Sequence, residues 1–312
     1  MSTTTRVPVV TGPSTTTAST TPPPAPRPPR GRGGWRSAAR GVPFHVTGLV
    51  LAFLFLFPLL WSVLNSFKTP GEASSSPPTL WPQEWSAGNY DELVQNGAGL
   101  GQYIGNSLVV ATVSVVLTMV IATLGGYGFA RFAFRGKNVV FLAVIAVLMV
   151  PHATLVLPLY FMFARAGMQD SLLAVGLVLT VFQLPFSIFL MRNSFEAVPV
   201  ELEEAARVDG ASSLSVFFRV SLPLVLPGVV TVALFAFLVS WNEFFIPLLL
   251  LNDGSSFTLS VMLVNIRTGA YGSIDWGLLQ AGTTVAILPC LVLYLLLQRF
   301  YIGGLTEGAL RG

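Results

Sequence analysis

The chain has 312 residues, 53% of them hydrophobic and only 10% charged, with a formal net charge of +3. Its mean hydropathy is +0.71 and its pI about 9.2. Soluble domains carry about a quarter charged residues, so this composition cannot cover a body of this size against water, and the solvent must be largely lipid.

A single cysteine, Cys290, excludes an intrachain disulfide, and the two distant histidines, His45 and His152, offer no metal-ligand spacing. Residues 1–43 are rich in Thr, Ser, Pro, Gly and Arg and include the run TPPPAPRPPRGRGGWR. Such a segment buries no core and is expected to be a tail that remains disordered. It is too long for the charged start of a signal peptide, and no persuasive cleavage site follows the next apolar run, which is read as a retained span.

Six apolar stretches follow, at about 45–66, 105–130, 138–164, 171–191, 224–251 and 277–298. Each is long enough to cross a hydrocarbon core of about 30 Å as a helix rising about 1.5 Å per residue. Lipid offers the backbone no hydrogen-bond partners, so the expected fold class is an all-α integral membrane protein with six transmembrane helices. Pro58, Pro151, Pro158, Pro185, Pro247 and Pro289 fall inside these stretches, as kinks for packing or as cavity-lining bends. Ala122, Gly126 and Ala130 form a small-residue stripe that lets a second helix approach.

Orientation follows from Lys and Arg. With a cytoplasmic N-terminus, fourteen of the seventeen lie on the cytoplasmic side and only Lys68, Arg165 and Arg267 on the other. Both termini are therefore expected in the cytoplasm, and the basic pI reports topology, not a nucleic-acid partner.

The informative segment is the loop between spans four and five, Pro199 to Gly228. Pro199 suits a helix start. Leu202, Ala205, Ala206 and Asp209 recur at helical spacing as a mostly small, apolar stripe, while Glu201, Glu203, Glu204 and Arg207 decorate the rest, with Glu203 able to pair with Arg207. Asp209-Gly210 supplies a stop, Ser212 or Ser213 a cap for the next short helix, and Pro223 and Pro227 mark the way into span five. A short amphipathic helix, a glycine turn and a second helix suggest a docking element. The alternative is a helix lying on lipid headgroups, which this stripe suits poorly because it lacks bulky anchors.

Here the sequence resembles a known family. Glu204-Ala205-Ala206, then Gly210, then Val220-Ser221-Leu222-Pro223 looks like the EAA signature of ABC importer permeases, with Val220 where the usual pattern has Ile. Further similarity to the carbohydrate branch, specifically the smaller partner of maltose-type permease pairs, lies in Pro58-Leu59-Leu60-Trp61, Ser66-Phe67-Lys68-Thr69-Pro70, Asn89-Tyr90, Asn106-Ser107-Leu108, Pro158-Leu159-Tyr160, Trp241-Asn242-Glu243-Phe244 and Gln298-Arg299. The ending Gly304 to Gly312 resembles that partner's tail, with Leu310 and Arg311 as departures. The Pro-rich tail at residues 1–43 is outside the pattern, which covers 44–312.

The resemblance implies a cytoplasmic coupling helix that sits in a cleft of the ATPase, carried by Glu204, Ala205, Ala206, Arg207, Asp209, Gly210, Leu222 and Pro223. It also implies a C-terminal contact with the ATPase through Thr306, Gly308 and Arg311. The implied partners are a homologous second permease, an ATPase dimer and an extracytoplasmic substrate-binding protein, in a bacterial inner or plasma membrane. No cofactor is expected.

Candidates for the substrate path are Trp241, Asn242, Glu243, Tyr160 and Gln183. Glu243 is the one clear carboxylate within an apolar stretch. It lies about 26 Å from Leu226, near the outer mouth, where either a pathway role or a structural hydrogen bond fits. Gln183, Tyr160 and His152 suit either a sugar path or interhelical hydrogen bonding.

Enzyme chemistry lacks its parts. There is no phosphate-binding G-x-x-x-x-G-K-[ST] loop, so ATP is expected on a separate subunit. The sequence therefore points to half of the translocation path of an ATP-driven sugar or oligosaccharide importer. Alternatives are import of another small polar solute, such as a phosphorylated polyol, or ion-driven secondary transport.

Overall fold

The computed structural model describes residues 34–268 and 274–309, and the side chains of residues 45–151, 154–268 and 274–298. Among the described residues every regular element is helical. In chain order these are α1 (Gly34–Ser66), α2 (Pro70–Ala73), α3 (Gly88–Gln95), α4 (Leu100–Arg131), α5 (Lys137–Ala146), α6 (His152–Arg165), α7 (Leu172–Glu196), α8 (Val200–Val208), α9 (Ser213–Val216), α10 (Leu222–Leu224), α11 (Leu226–Asn242), α12 (Phe245–Leu250), α13 (Leu259–Thr268) and α14 (Trp276–Ala309). Residues from Leu54 onward form one compact unit.

Four helical stretches are long and apolar enough to cross a membrane alone: His45–Ser66, Leu100–Arg131, Leu172–Glu196 and Trp276–Gln298. Two bent pairs raise the number to six if each is one span. The C-terminal part of α1 shows why lipid is the solvent. Leu54, Phe55, Leu56, Leu59 and Leu60 are exposed, while Ser62, Asn65 and Ser66 are buried. A soluble helix shows the reverse polarity.

The continuous helix expected over 138–164 is broken. α5 passes through a 3-10 turn, Val147–Met149, and stops at Val150, whose backbone is extended (ψ 121°). The cause is Pro151, which disfavours the helical conformation in the residue before it and has no N–H to continue the ladder. The stretch expected over 224–251 is also broken, at Glu243 and Phe244. Pro247 cannot donate to the carbonyl of Glu243 four residues earlier, and its ring clashes there, so α11 ends at Asn242. At its N-terminal end α11 is bent by 74° from the helical segment Ser213–Leu224.

The central packing is α4 against α7. Gly126, in the expected small-residue stripe, lets α7 come so close that a Cβ there would lie 2.5 Å from Met191 Cβ and 2.8 Å from the Arg192 backbone nitrogen. Gly176 gives α7 the same proximity to Val113. Around this contact lie three apolar clusters. One joins α6, α7 and α12 through Phe163, Val175, Leu179 and Ile246. A second joins the C-terminal ends of α4 and α7 and the N-terminal end of α11 through Tyr127, Met191, Phe195, Phe217 and Val229. The third joins α3, α4, α11, α13 and α14 through Leu93, Tyr103, Trp241, Met262 and Leu278.

Buried polar groups tie these helices where lipid offers no substitute. Asn106 Nδ2 donates to the carbonyls of Ser255 (2.8 Å) and Phe257 (2.9 Å). Ser107 Oγ accepts the N–H of Leu259 at 2.8 Å. These bonds fix the start of α13, a short apolar helix that periodicity in the 252–276 connection did not suggest.

Candidate functional site

The segment after α7 folds as its local residues dictate. Pro199 takes the N-cap position with extended backbone (φ −56°, ψ 131°) and α8 runs from Val200 to Val208. Glu201 and Glu203 sit in its first turn and Arg207 in its last, the favourable order against the helix dipole. Gly210 then adopts φ +85°, a conformation that costs other residues about 1–2 kcal/mol. The N–H of Gly210 reaches Arg207 O at 3.0 Å and that of Ala211 reaches Ala206 O at 3.0 Å, the pair of bonds that closes a helix through a left-handed glycine. Of the two candidate caps it is Ser212 that serves, its hydroxyl accepting from Ser215 N–H at 3.3 Å. A π-helical turn, Phe217–Ser221, then leads into α10.

The orientation of α8 holds a residue that the sequence reading placed wrongly. Glu203, assigned to the decorated face, is fully buried. Its Oε1 accepts from Arg131 Nε at 2.7 Å and from Ser221 Oγ at 2.8 Å. Its Oε2 accepts from Tyr127 Oη at 3.4 Å and faces Arg207 at 3.5 Å. Arg131, in the last turn of α4, also donates to the Val198 carbonyl at 2.9 Å. The i,i+4 pair with Arg207 was expected; the shorter bond to Arg131 was not. A charge this deep persists only with its partners in place. Glu203 thereby fastens α8 to the C-terminal end of α4 and to the turn that leads into α11.

The opposite face of α8 is left without a partner among the described residues. Leu202 and Val208 are exposed, the latter by 87%. Glu204, Ala205, Arg207, Asp209 and Gly210 are also exposed and Ala206 is half-buried. Among the described residues Glu204 makes no hydrogen bond or ion pair. Leu222 packs on the second cluster, while Pro223 is exposed. So the two adjacent glutamates face opposite ways.

The five pathway candidates divide among three places. Trp241 and Asn242 line a groove of about 430 Å³ with Ser260, Thr283 and Cys290. Within it Trp241 Nε1 donates to Ala286 O at 3.0 Å and Asn242 Nδ2 to its own helix at Leu238 O, 2.7 Å. Glu243 and Gln183 instead line a cavity of about 220 Å³ with Ser187, Phe182, Phe186 and Phe235. Glu243 lies in the break after α11, not in a helix, and its Oε1 accepts the N–H of Phe245 (2.8 Å) and Ile246 (3.3 Å) at the start of α12. Gln183 Nε2 donates to Ser114 Oγ (2.9 Å) on α4 and Ser240 Oγ (3.3 Å) on α11. Tyr160 lies apart on α6, its hydroxyl accepting from Gln169 Nε2 at 3.4 Å.

Of the C-terminal candidates, Thr306 and Gly308 fall within α14, but their side chains, like that of His152, lie outside the described residues. Arg311 lies outside them altogether, as does most of the 1–43 tail.

Apolar helices long enough to cross a membrane, bent helix pairs, polar ties between helices and an ordered helix exposed on one face are features of a multi-helix membrane protein. The family described as "binding-protein-dependent transport system inner membrane component" matches residues 122–302. The diacetylchitobiose uptake system permease protein NgcG of Streptomyces coelicolor is 33% identical over 269 residues, covering 86% of this chain and 88% of the relative. The arabinooligosaccharides transport system permease protein AraQ of Halalkalibacterium halodurans is 33% identical over 264 residues, covering 84% of this chain and 93% of the relative. A crystal structure of a bacterial ABC transporter involved in the import of the acidic polysaccharide alginate matches with a TM-score of 0.71 at 20% identity, covering 86% of this chain and 98% of that one. The chain belongs to the binding-protein-dependent transport permease family and is an inner-membrane permease component of an ABC importer.

Proposed function

We propose that this chain forms one half of the translocation path for a sugar or oligosaccharide, in six spans with both termini cytoplasmic. In this reading each bent pair is one span, residues 44–312 are the permease domain, and 1–43 is an appended cytoplasmic tail. A homologous second permease completes the path, an extracytoplasmic binding protein delivers the solute, and an ATPase dimer hydrolyses ATP. No nucleic acid takes part.

The single observation that carries this reading is α8: an ordered helix with its small and apolar stripe open while Glu203 holds its back. Glu204, Ala205, Ala206, Arg207, Asp209 and Gly210 present the coupling surface, with Leu222 and Pro223 supporting the turn behind it. Ala205 and Ala206 let a partner groove come close. The C-terminal Thr306, Gly308 and Arg311 add a second ATPase contact. The sugar class is supported by what the relatives are named for, diacetylchitobiose and arabinooligosaccharides. Within the path, Trp241 and Asn242 serve one groove and Glu243 with Gln183 a second, whose three phenyl rings and polar groups suit a hydroxyl-rich ring. Tyr160 lies near neither pair.

Alternating access needs a difference in affinity. ATP and the loaded binding protein must favour one state over the other, and a full population switch takes about 5.5 kcal/mol. α8 is where the ATPase delivers its share.

The test is a mild-detergent purification from the native host with the co-purifying chains identified, followed by uptake of labelled diacetylchitobiose and arabinooligosaccharides in reconstituted vesicles. An ATPase plus a second permease, and ATP-dependent uptake, are expected. Recovery of the chain alone, or uptake driven by an ion gradient without ATP, overturns the proposal.

A further inference from the structure

We propose that the outer mouth of this chain carries a subsite for one neutral sugar ring, set between the end of α1, the loop after α2 and the start of α14. The proposal rests on the sugar-importer reading and the orientation given above. A cavity of about 280 Å³ lies there, lined by Trp61, Asn65, Ser74, Ser75, Trp276 and Gln280. It is separate from both grooves already described.

Three polar side chains in it have hydrogen-bonding capacity that is unused among the described residues. Asn65 has only 7% of its surface exposed, yet among the described residues its side-chain amide makes no hydrogen bond. The hydroxyl oxygen of Ser75 is buried and unpaired. Gln280 accepts from Ser62 Oγ through Oε1, which leaves its amide N–H groups as free donors. Of these groups only the Ser75 hydroxyl is both buried and unpaired, a condition folded proteins seldom leave standing. The Asn65 and Gln280 amides open to the cavity and can donate or accept there, while the Ser75 hydroxyl lies sealed in the wall and reaches a ligand only by rotating its side chain.

The walls specify the ligand's shape. Trp276 is 45% exposed. Trp61 is held in place by Phe57, with ring centroids 6.2 Å apart, and by Lys68 Nζ at 4.9 Å from the ring centroid. Indole faces take the C–H face of a sugar ring, while amides and hydroxyls, which both donate and accept, take its edge.

Charge is excluded on the same grounds. The Lys68 ammonium donates to the Thr79 carbonyl and sits over Trp61. The Glu72 carboxylate accepts from Thr79 Oγ1 at 2.7 Å and Gln83 N–H at 3.0 Å. Neither lines the cavity, so no charged side chain meets the ligand directly there. The volume falls just below the small-molecule range of about 300–1,000 Å³, which suits one ring of a longer solute.

The experiment uses the whole transporter in lipid nanodiscs without glycoside detergent, since a sugar headgroup would compete for the site. Uptake kinetics are measured with diacetylchitobiose, an arabinooligosaccharide and maltose. The variants are Asn65→Ala, Ser75→Ala, Gln280→Glu and Trp276→Ala, with Leu80→Ala as an off-site control. Ser75→Ala is the smallest change and guards against misfolding of the others. Loss of one neutral hydrogen bond predicts a roughly 2- to 12-fold rise in KM with Vmax kept, and no change for the control. If a sugar is imported and all four variants keep the wild-type KM, the subsite is wrong and the importer reading stands. If none of the sugars is imported, the sugar reading falls and takes the subsite with it.

Discussion

Truncating Glu203 and Glu204 in turn, each to alanine, asks two neighbouring carboxylates the same question. Glu203 is wholly buried and holds Arg131 at 2.7 Å, Ser221 at 2.8 Å, Tyr127 at 3.4 Å and Arg207 at 3.5 Å. Glu203→Ala removes the one carboxylate that pairs with Arg131 among the described residues, and the Arg131 side chain is 9% exposed. Arg131 keeps one carbonyl, Val198 O. Breaking a buried pair by deleting one partner costs about 3–5 kcal/mol. Glu203→Gln keeps an acceptor for Arg131 and Ser221 but turns its amide toward Arg207 and Tyr127. It should cost about 1.5–3 kcal/mol, the worth of a hydrogen bond to a charged group. Glu204→Ala, on the open face, should stay within about 0.5 kcal/mol.

Net stabilities of about 5–15 kcal/mol make the first loss visible and the last invisible. The assay is the thermal midpoint of the reconstituted complex, read together with the ATP hydrolysed per sugar imported. Glu203→Ala should lower the midpoint and raise the ATP cost of each import. Glu204→Ala should leave the midpoint alone and weaken ATPase binding. Combined with Arg131→Ala, Glu203→Ala should show non-additivity of about 1–3 kcal/mol. Equal midpoints for the Glu203 and Glu204 variants, or simple additivity with Arg131, would refute the tie.

Three further outcomes follow from single positions. Gly210→Ala meets nothing within 4 Å but must hold φ +85°, so it should cost about 1–2 kcal/mol, and Gly210→Asn less, in the same thermal assay. A bulky residue at Gly210 should also uncouple ATP hydrolysis from uptake, or block assembly with the ATPase. Gly126→Ala puts a methyl 2.5 Å from Met191 Cβ and 2.8 Å from backbone, so α4 and α7 must part at a cost of about 1–3 kcal/mol, read as a lower midpoint. The Glu72 carboxyl is held below its ordinary 4.5, chiefly by the Thr79 hydroxyl with the Gln83 N–H adding to it. A depressed carboxylate stabilises the folded loop above its ordinary value and loses that contribution as pH falls through the lower folded one. Exchange protection of the Gln83 amide should therefore hold from pH 7 to about 5 and fail further down, and Glu72→Gln should abolish the dependence.

What could be read in advance was local. Apolar runs longer than a bilayer is thick marked α1, α4, α7 and α14, and the segment around α8 followed from Pro199, Gly210 and Ser212, each acting on its own neighbours. Both broken spans also had visible causes. Pro151 and Pro247 were noted as kinks, but a proline interrupts the ladder at the carbonyl four residues before it, and for Pro247 that carbonyl belongs to Glu243. At Pro247 that interruption ends α11 at Asn242, but Pro158, Pro185 and Pro289 lie inside continuous α6, α7 and α14, so proline position alone does not tell which helix breaks. α13 was not legible in this way. Its ten residues are too short for a span, and its start is set by Ser107, which lies 152 positions away in the chain.

The inner face of α8 failed for a different reason. Helical periodicity assigns the apolar stripe to the interior when water is the only alternative. A nine-residue helix beside the membrane has other surroundings, and here the interior is ionic. Leu202 faces out and Glu203 faces in because Arg131 ends a span 72 residues earlier. In a chain with 10% charged residues, a cation at the end of one helix and an anion in the first turn of another are candidates to be partners. An apolar contact of similar area would slide under load, since it has no preferred geometry. A carboxylate with donors on α4, on α8 itself and on the turn into α11 resists displacement in several directions at once. On the proposed reading, that is what the inner side of a coupling helix requires: the outer face exchanges partners as the ATPase opens and closes, and the inner face carries the movement into two spans together.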